Sequence, residues 1–178
     1  RYCSFYTHGK INACDVATLK QTLEQLQHKQ YQILQKAKVF FITWGSAWVY
    51  LHTTHGFICA NCHKQPSSGF SKQLSHVHDI VHNTSSMLHK LKALNPELQI
   101  VFTVSPVKHL RDGIHENVLS KSVLHVALHE LIQNHPELYY FPSFEWIQED
   151  LRDYRFYNAD LAHPNALAVN YVWDKFKT

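Results

Sequence analysis

The sequence predicts a three-layer α/β/α sandwich built on a mainly parallel sheet. Short apolar runs at residues 39–43, 98–104 and 138–141 alternate with longer stretches of helical periodicity. The runs are unbroken, as expected of strands covered on both faces by crossover helices. Right-handed crossovers between such strands put their carboxyl ends at one edge, where active groups collect. The 178 residues show no internal repeat, low-complexity tract or second-domain boundary, so residues 1–178 read as one α/β domain.

Taken in order, aromatic residues 2–6 predict a short strand, and Gly9 to Cys14 a loop. Asp15 is placed to cap a helix from Val16 to about Lys38. Val39–Thr43 is the first strong strand and ends in Trp44-Gly45-Ser46. Residues 48–51 and 56–60 read as a hairpin, followed by a turn at 66–69. Ser71 or Ser75 opens a second helix to about Leu94, stopped by Asn95-Pro96. Strand 98–104 runs into Ser105-Pro106, and Asn117 is a candidate cap for a third helix to about Asn134. Residues 138–141 form the third strand, and Ser143 starts a short helix to Asp153. Pro164 is placed at the first position of the closing helix, to about Lys177.

Composition narrows the function classes. Hydrophobic residues at 45% and charged residues at 17% argue for a packed core rather than disorder. A net charge of +3 is too small to indicate a nucleic-acid partner. No apolar run approaches the ~20 residues of a membrane span. Fifteen histidines make the charge climb steeply below roughly pH 6.5. Four cysteines are too few for a disulfide scaffold, which weakly favours a cytoplasmic location.

Asp160-Leu-Ala-His163-Pro164 is the stretch with the clearest chemistry. An acid three residues before a histidine gives the imidazole a partner for one nitrogen and frees the other to act as a base. The bland alternative is a helix cap beside a surface histidine. Ser105 to Gly113 concentrates polar groups at a strand's carboxyl end. There Lys108, His109 and Arg111 can hold an anion, and Ser105 either attacks or shapes the turn, with Gly-x-Ser-x-Gly absent. Cys59-Ala-Asn-Cys62-His63 matches a haem-attachment pattern, but it sits in a hairpin, and no second pair completes a zinc site. His78/His82 and His125/His129 have metal-clamp spacing without the glutamate of the metalloprotease motif, so solvated helix faces are the simpler reading. No cofactor and no metal is expected.

Taken together, Thr43–Tyr50, Ala60–Pro66, Thr103–Gly113, Tyr140–Glu145, Leu151–Tyr157 and Asp160–Pro164 resemble the GSCFA-domain family, a branch similar to the SGNH (GDSL-like) hydrolases. The resemblance implies a flavodoxin-like sandwich with serine-hydrolase geometry. His163 would be the base and Asp160 its orienting partner. Gly45 falls where the hydrolases carry the glycine of Gly-x-Asn-Asp, but Ser46, Ala47 and Trp48 follow it here. The oxyanion asparagine is therefore unassigned, with Asn61 a candidate and His63 beside it. The name-giving Gly-Ser-Cys-Phe-Ala stretch is absent, and Cys3-Ser4-Phe5 does not replace it. The nucleophile and the first two strands are thus expected upstream of Arg1, leaving one edge of the Val39–Thr43 strand open, an aggregation hazard.

The leading expectation is a serine ester hydrolase or acyl-transfer enzyme of SGNH type. Its substrate would be a small-molecule or glycan acyl ester. Catalysis would rest on His163 and Asp160, with Gly45, Asn61, His63, Ser105, His109 and Arg111 around the substrate. One alternative is a non-enzymatic relative that binds a polar or anionic ligand. Another is a metal-dependent hydrolase using Asn61, His63 and His109.

Overall fold

A computed structural model describes residues 1–178. Its centre is a parallel sheet of three strands, β3 (Val39–Trp44), β7 (Gln99–Val104) and β8 (Tyr139–Tyr140), in the order β3-β7-β8. The β3–β7 register runs from Val39 opposite Gln99 to Trp44 opposite Val104. Side chains alternate across a strand, so Phe40, Ile42 and Trp44 share a face with Ile100, Phe102 and Val104. That face packs against α2 (Val77–Leu94) and α3 (Ile114–Asn134). Phe102, Leu98, Leu131 and Ala127 are fully buried there.

The opposite face is only partly covered. Phe176 of α5 (Ala166–Lys177) meets the rings of Phe41 and Phe141, yet Phe41 is 49% exposed. The expectation of a strand buried on both faces therefore needs correcting for β3, because open space remains between this face and α5, bordered by Phe41, Thr43, Val169 and Trp173. β3 pairs with β7 alone and is an edge strand.

The long helix α1 (Val16–Lys36) is capped as the sequence predicts: the Asp15 carboxylate accepts the Thr18 N–H at 2.8 Å. A separate antiparallel sheet follows β3. Its strands are β4 (Trp48–His52), β5 (Ile58–Cys59) and β6 (Phe70–Leu74), in the order β5-β4-β6. β6 corrects the reading of Ser71 as a helix start. Five residues pair with β4, from Trp48 opposite Leu74 to His52 opposite Phe70. This ladder overrides a weak helical pattern, and α2 begins only at Val77. At the front, only β1 (Tyr2–Cys3) and β2 (Asn12–Ala13) pair. Phe5 leaves the chain as a ring packed on His52, Phe57 and Phe70.

Two further helix starts differ from expectation. α3 begins at Ile114 behind Gly113, whose φ of +102° suits glycine. Asn117 lies inside its first turn and does not cap it. α5 begins at Ala166 with Asn165 as its cap, and Pro164 is bridged to Tyr157 instead of opening the helix. Between β8 and α5, α4 (Ser143–Glu145) passes into one π-helical turn, Trp146–Asp150. Ile147, Leu151, Tyr157 and Ala168 form a second small core beneath it. No helix is long and apolar enough to cross a membrane.

Phe102 sits at zero exposure where β7 meets both helices. Phe102→Ala is expected to cost about 3–5 kcal/mol of folding stability, measured by urea denaturation.

Candidate active site at the strand ends

The carboxyl ends of β3 and β7 lie side by side, and the Ser105 N–H donates to the Trp44 carbonyl at 2.8 Å. Lys121 of α3 reaches both strand ends from below. Its Nζ donates to the Gly45 and Ser105 carbonyls, each at 2.6 Å, and the residue is 3% exposed. Burial pulls the ammonium down from 10.5 to about 8. Its neighbour Ser120 holds the rest of the loop: the Ala47 N–H donates to Ser120 Oγ at 2.7 Å, and Ser46 Oγ lies 3.2 Å from the same atom. Trp48 Nε1–H donates to the Glu116 carbonyl at 3.1 Å. One face of α3 thus fixes Gly45 to Trp48.

His109 lies above Gly45, where a β-carbon on the glycine would come within 3.8 Å of Nε2. Its N–H donates to Asn117 Oδ1 at 2.9 Å, which is what Asn117 does in place of capping. Burial chiefly, and then the Lys121 ammonium, hold the His109 imidazole below its ordinary pKa. His163 contributes to the same shift, so the two rings are within electrostatic reach.

The Asp160–His163 turn is closed by its own groups. Leu161 adopts a left-handed φ of +57°, which folds the chain back. Asp160 Oδ1 then accepts the N–H groups of Ala162 and His163, both at 3.0 Å. Its Oδ2 lies 2.6 Å from His163 Nδ1. Those backbone donors first, and the imidazole after them, hold the Asp160 carboxyl down at about 2. An ionised carboxylate only accepts hydrogen bonds, so Nδ1 carries a proton, and in the neutral ring Nε2 is left as an acceptor on a side chain more than half exposed. The Lys108 N–H donates to the Ala162 carbonyl at 3.1 Å and ties this turn to the loop after β7. The Asn158 N–H donates to the His163 carbonyl at 2.8 Å.

The structure therefore brings Gly45, Ser105, His109, Asp160 and His163 to one end of the sheet. Ser105 Oγ accepts the Val107 N–H at 3.3 Å, so its hydroxyl shapes the turn. Arg111 is exposed on a short turn, where its neighbour Asp112 pairs with Lys72 at 2.5 Å. Asn61 and His63 bind the front of the chain. Asn61 Oδ1 accepts the His63 N–H at 2.8 Å, and His63 Nε2 meets the Ser4 carbonyl at 2.8 Å. None of these bonds reaches Gly45 or His163. No three His, Cys, Asp or Glu side chains gather closely enough to hold a metal ion, and all four cysteines are free thiols.

Sequence reasoning missed Lys121 and Ser120, and it offered Lys108 as an anion holder without its backbone tie to the Ala162 carbonyl. Lys121 leaves a readable sign: with Leu124, Leu128 and Leu131 it occupies one helix face, so a lysine stands where the pattern asks for an apolar residue.

Fold and site together define a mixed α/β protein with an acid-held histidine past the ends of its parallel strands. A family model for the GSCFA family matches residues 1–176, and the chain belongs to that family. No curated protein matches it.

Lys121→Met leaves the Gly45 and Ser105 carbonyls without their donor and is expected to cost roughly 2–4 kcal/mol. The lysine's folded value lies below its unfolded one, so its contribution to stability rises as pH climbs from about 8 towards 10.5, and is lost as pH falls through about 8. Urea titrations across that window should show the rise in wild type and its absence in Lys121→Met.

Proposed function

We propose that the protein is a serine-type acyl-ester hydrolase or acyltransferase of SGNH kind, with the flavodoxin-like architecture that such enzymes share. The observation that supports this reading is the Asp160–His163 pair, 2.6 Å apart beside the strand ends. In this reading the nucleophile is a serine upstream of Arg1 in the full-length protein. Its hydroxyl attacks the acyl carbonyl while His163 Nε2 takes the proton. Asp160 keeps the imidazole in the right tautomer and stabilises the imidazolium. Backbone donors around Gly45 face the oxyanion, each worth about 3 kcal/mol. As the tetrahedral intermediate collapses, His163 gives its proton to the leaving alkoxide. Water or an acceptor hydroxyl then removes the acyl group by the same steps in reverse. The substrate class is a small O-acyl ester, including acyl groups on carbohydrate.

The fixed Gly45 loop fits this role, since an oxyanion site must be rigid before the reaction begins. The neutral state favoured for His109 keeps a second positive charge away from His163.

In the full-length protein, His163→Ala should lower kcat/KM for short acyl esters by about 10²–10⁴-fold. A wild-type rate in that variant would remove the assignment.

A further inference from the structure

A groove of about 740 Å³ runs between α3 and the segment from Phe144 to Leu161. One wall is a stripe of α3 that includes Ile114, Val118, Lys121, His125 and Val126. These positions recur at helical spacing over about 18 Å of helix. Ile114 is 77% exposed, and Val118 and Val126 are exposed as well, so the apolar stripe meets open space. Phe144, Tyr154 and Leu161 form much of the facing wall. Two lysines and a histidine line the groove, and no carboxylate does.

The groove opens beside the proposed base. Leu161 belongs to the turn that holds His163, and Lys108, whose N–H donates to the Ala162 carbonyl at 3.1 Å, lines the same end. The Lys108 ammonium lies 3.9 Å above the centre of the Tyr157 ring. Seven of the thirteen lining residues are apolar, Asn117, Ser122 and Gln148 add neutral polar groups, and Lys108 stands at the end beside the proposed base, a lining that suits an aliphatic chain with a carboxyl or ester head.

We propose that this groove is the acyl-chain subsite, taking medium-length aliphatic acyl groups with their carbonyl end at Lys108 and His163. The proposal rests on the ester-hydrolase reading and extends its substrate class beyond short acyl groups. The chain lies along α3 against Val118 and Val126. Lys108 offers its positive charge to the carboxyl end.

Calorimetric titration of the protein with sodium octanoate and sodium acetate tests this without any turnover. Octanoate should bind at least about tenfold tighter than acetate, because each added methylene leaves water for the groove. Val118→Glu should weaken octanoate at least about tenfold by repelling its carboxylate and removing apolar contact. Val16→Glu alters an exposed valine on α1 outside the groove and should leave binding unchanged. Equal affinity for octanoate and acetate overturns the proposal, as does octanoate binding that survives Val118→Glu. A concentration-dependent dimer that Val118→Glu dissociates also overturns it, since a second copy then fills the groove. Octanoate binding together with ester turnover that ignores His163→Ala sinks the hydrolase reading and leaves the groove as a site. His163-dependent turnover without octanoate binding sinks the groove alone.

Discussion

The Lys121 ammonium, held between the carbonyls of Gly45 and Ser105, is the contact on which the working end of this molecule depends. Two adjacent parallel strands finish just before them, and these two carbonyls, one residue past Trp44 and Val104, have no strand partner. A buried carbonyl without a donor costs free energy comparable to a lost hydrogen bond. One cation answers both, and its burial is tolerable because both bonds are short and charge-assisted. The same charge disfavours a proton on His109. A single side chain thereby sets the position of the Gly45 loop and the electrostatics above it. The register of β3 with β7 makes this possible, since a slip by one residue would separate the two carbonyls.

The Asp160–His163 turn is organised differently. It draws almost nothing from the main core. Its shape follows from a left-handed Leu161 and from a carboxylate that collects two backbone N–H groups and one imidazole. Three local donors hold Asp160 ionised at any ordinary pH, although its side chain is half exposed. The link to the sheet is narrow: the Lys108 N–H on the Ala162 carbonyl joins the turn to the loop after β7. The buried, distant elements fix the Gly45 loop, while the histidine rides on a local turn pinned at one side.

Much of this was legible in the chain. The β3 and β7 runs, the Asp15 cap, the stop at Asn95 and the Asp-x-x-His turn all carry short-range signals, and each appears where those signals put it. What escaped was decided at long range. Phe70–Leu74 became a strand because β4 offered it a ladder, which local spacing does not encode. Asn117 is a good cap by type, yet the His109 N–H, eight residues earlier, claimed its oxygen after Gly113 had already begun the helix. Asn61 and His63 lie close in sequence to the site loops, but Ser4 and Phe5 at the other end of the chain engage them. Lys121 was visible as a lysine on an apolar face. Its two carbonyl partners, from separate strands, were not.

The central claim is that Asp160 holds His163 as an oriented base with Nε2 free. The most direct measurement is a long-range ¹H–¹⁵N correlation spectrum of the protein's histidines at neutral pH, assigned with His163→Gln and repeated on Asp160→Asn. The account predicts that neutral His163 is the Nδ1–H tautomer, with Nε2 unprotonated, and that Asp160→Asn disturbs this preference. A predominantly Nε2–H ring in the wild-type protein, or a tautomer balance that Asp160→Asn leaves unchanged, would contradict it.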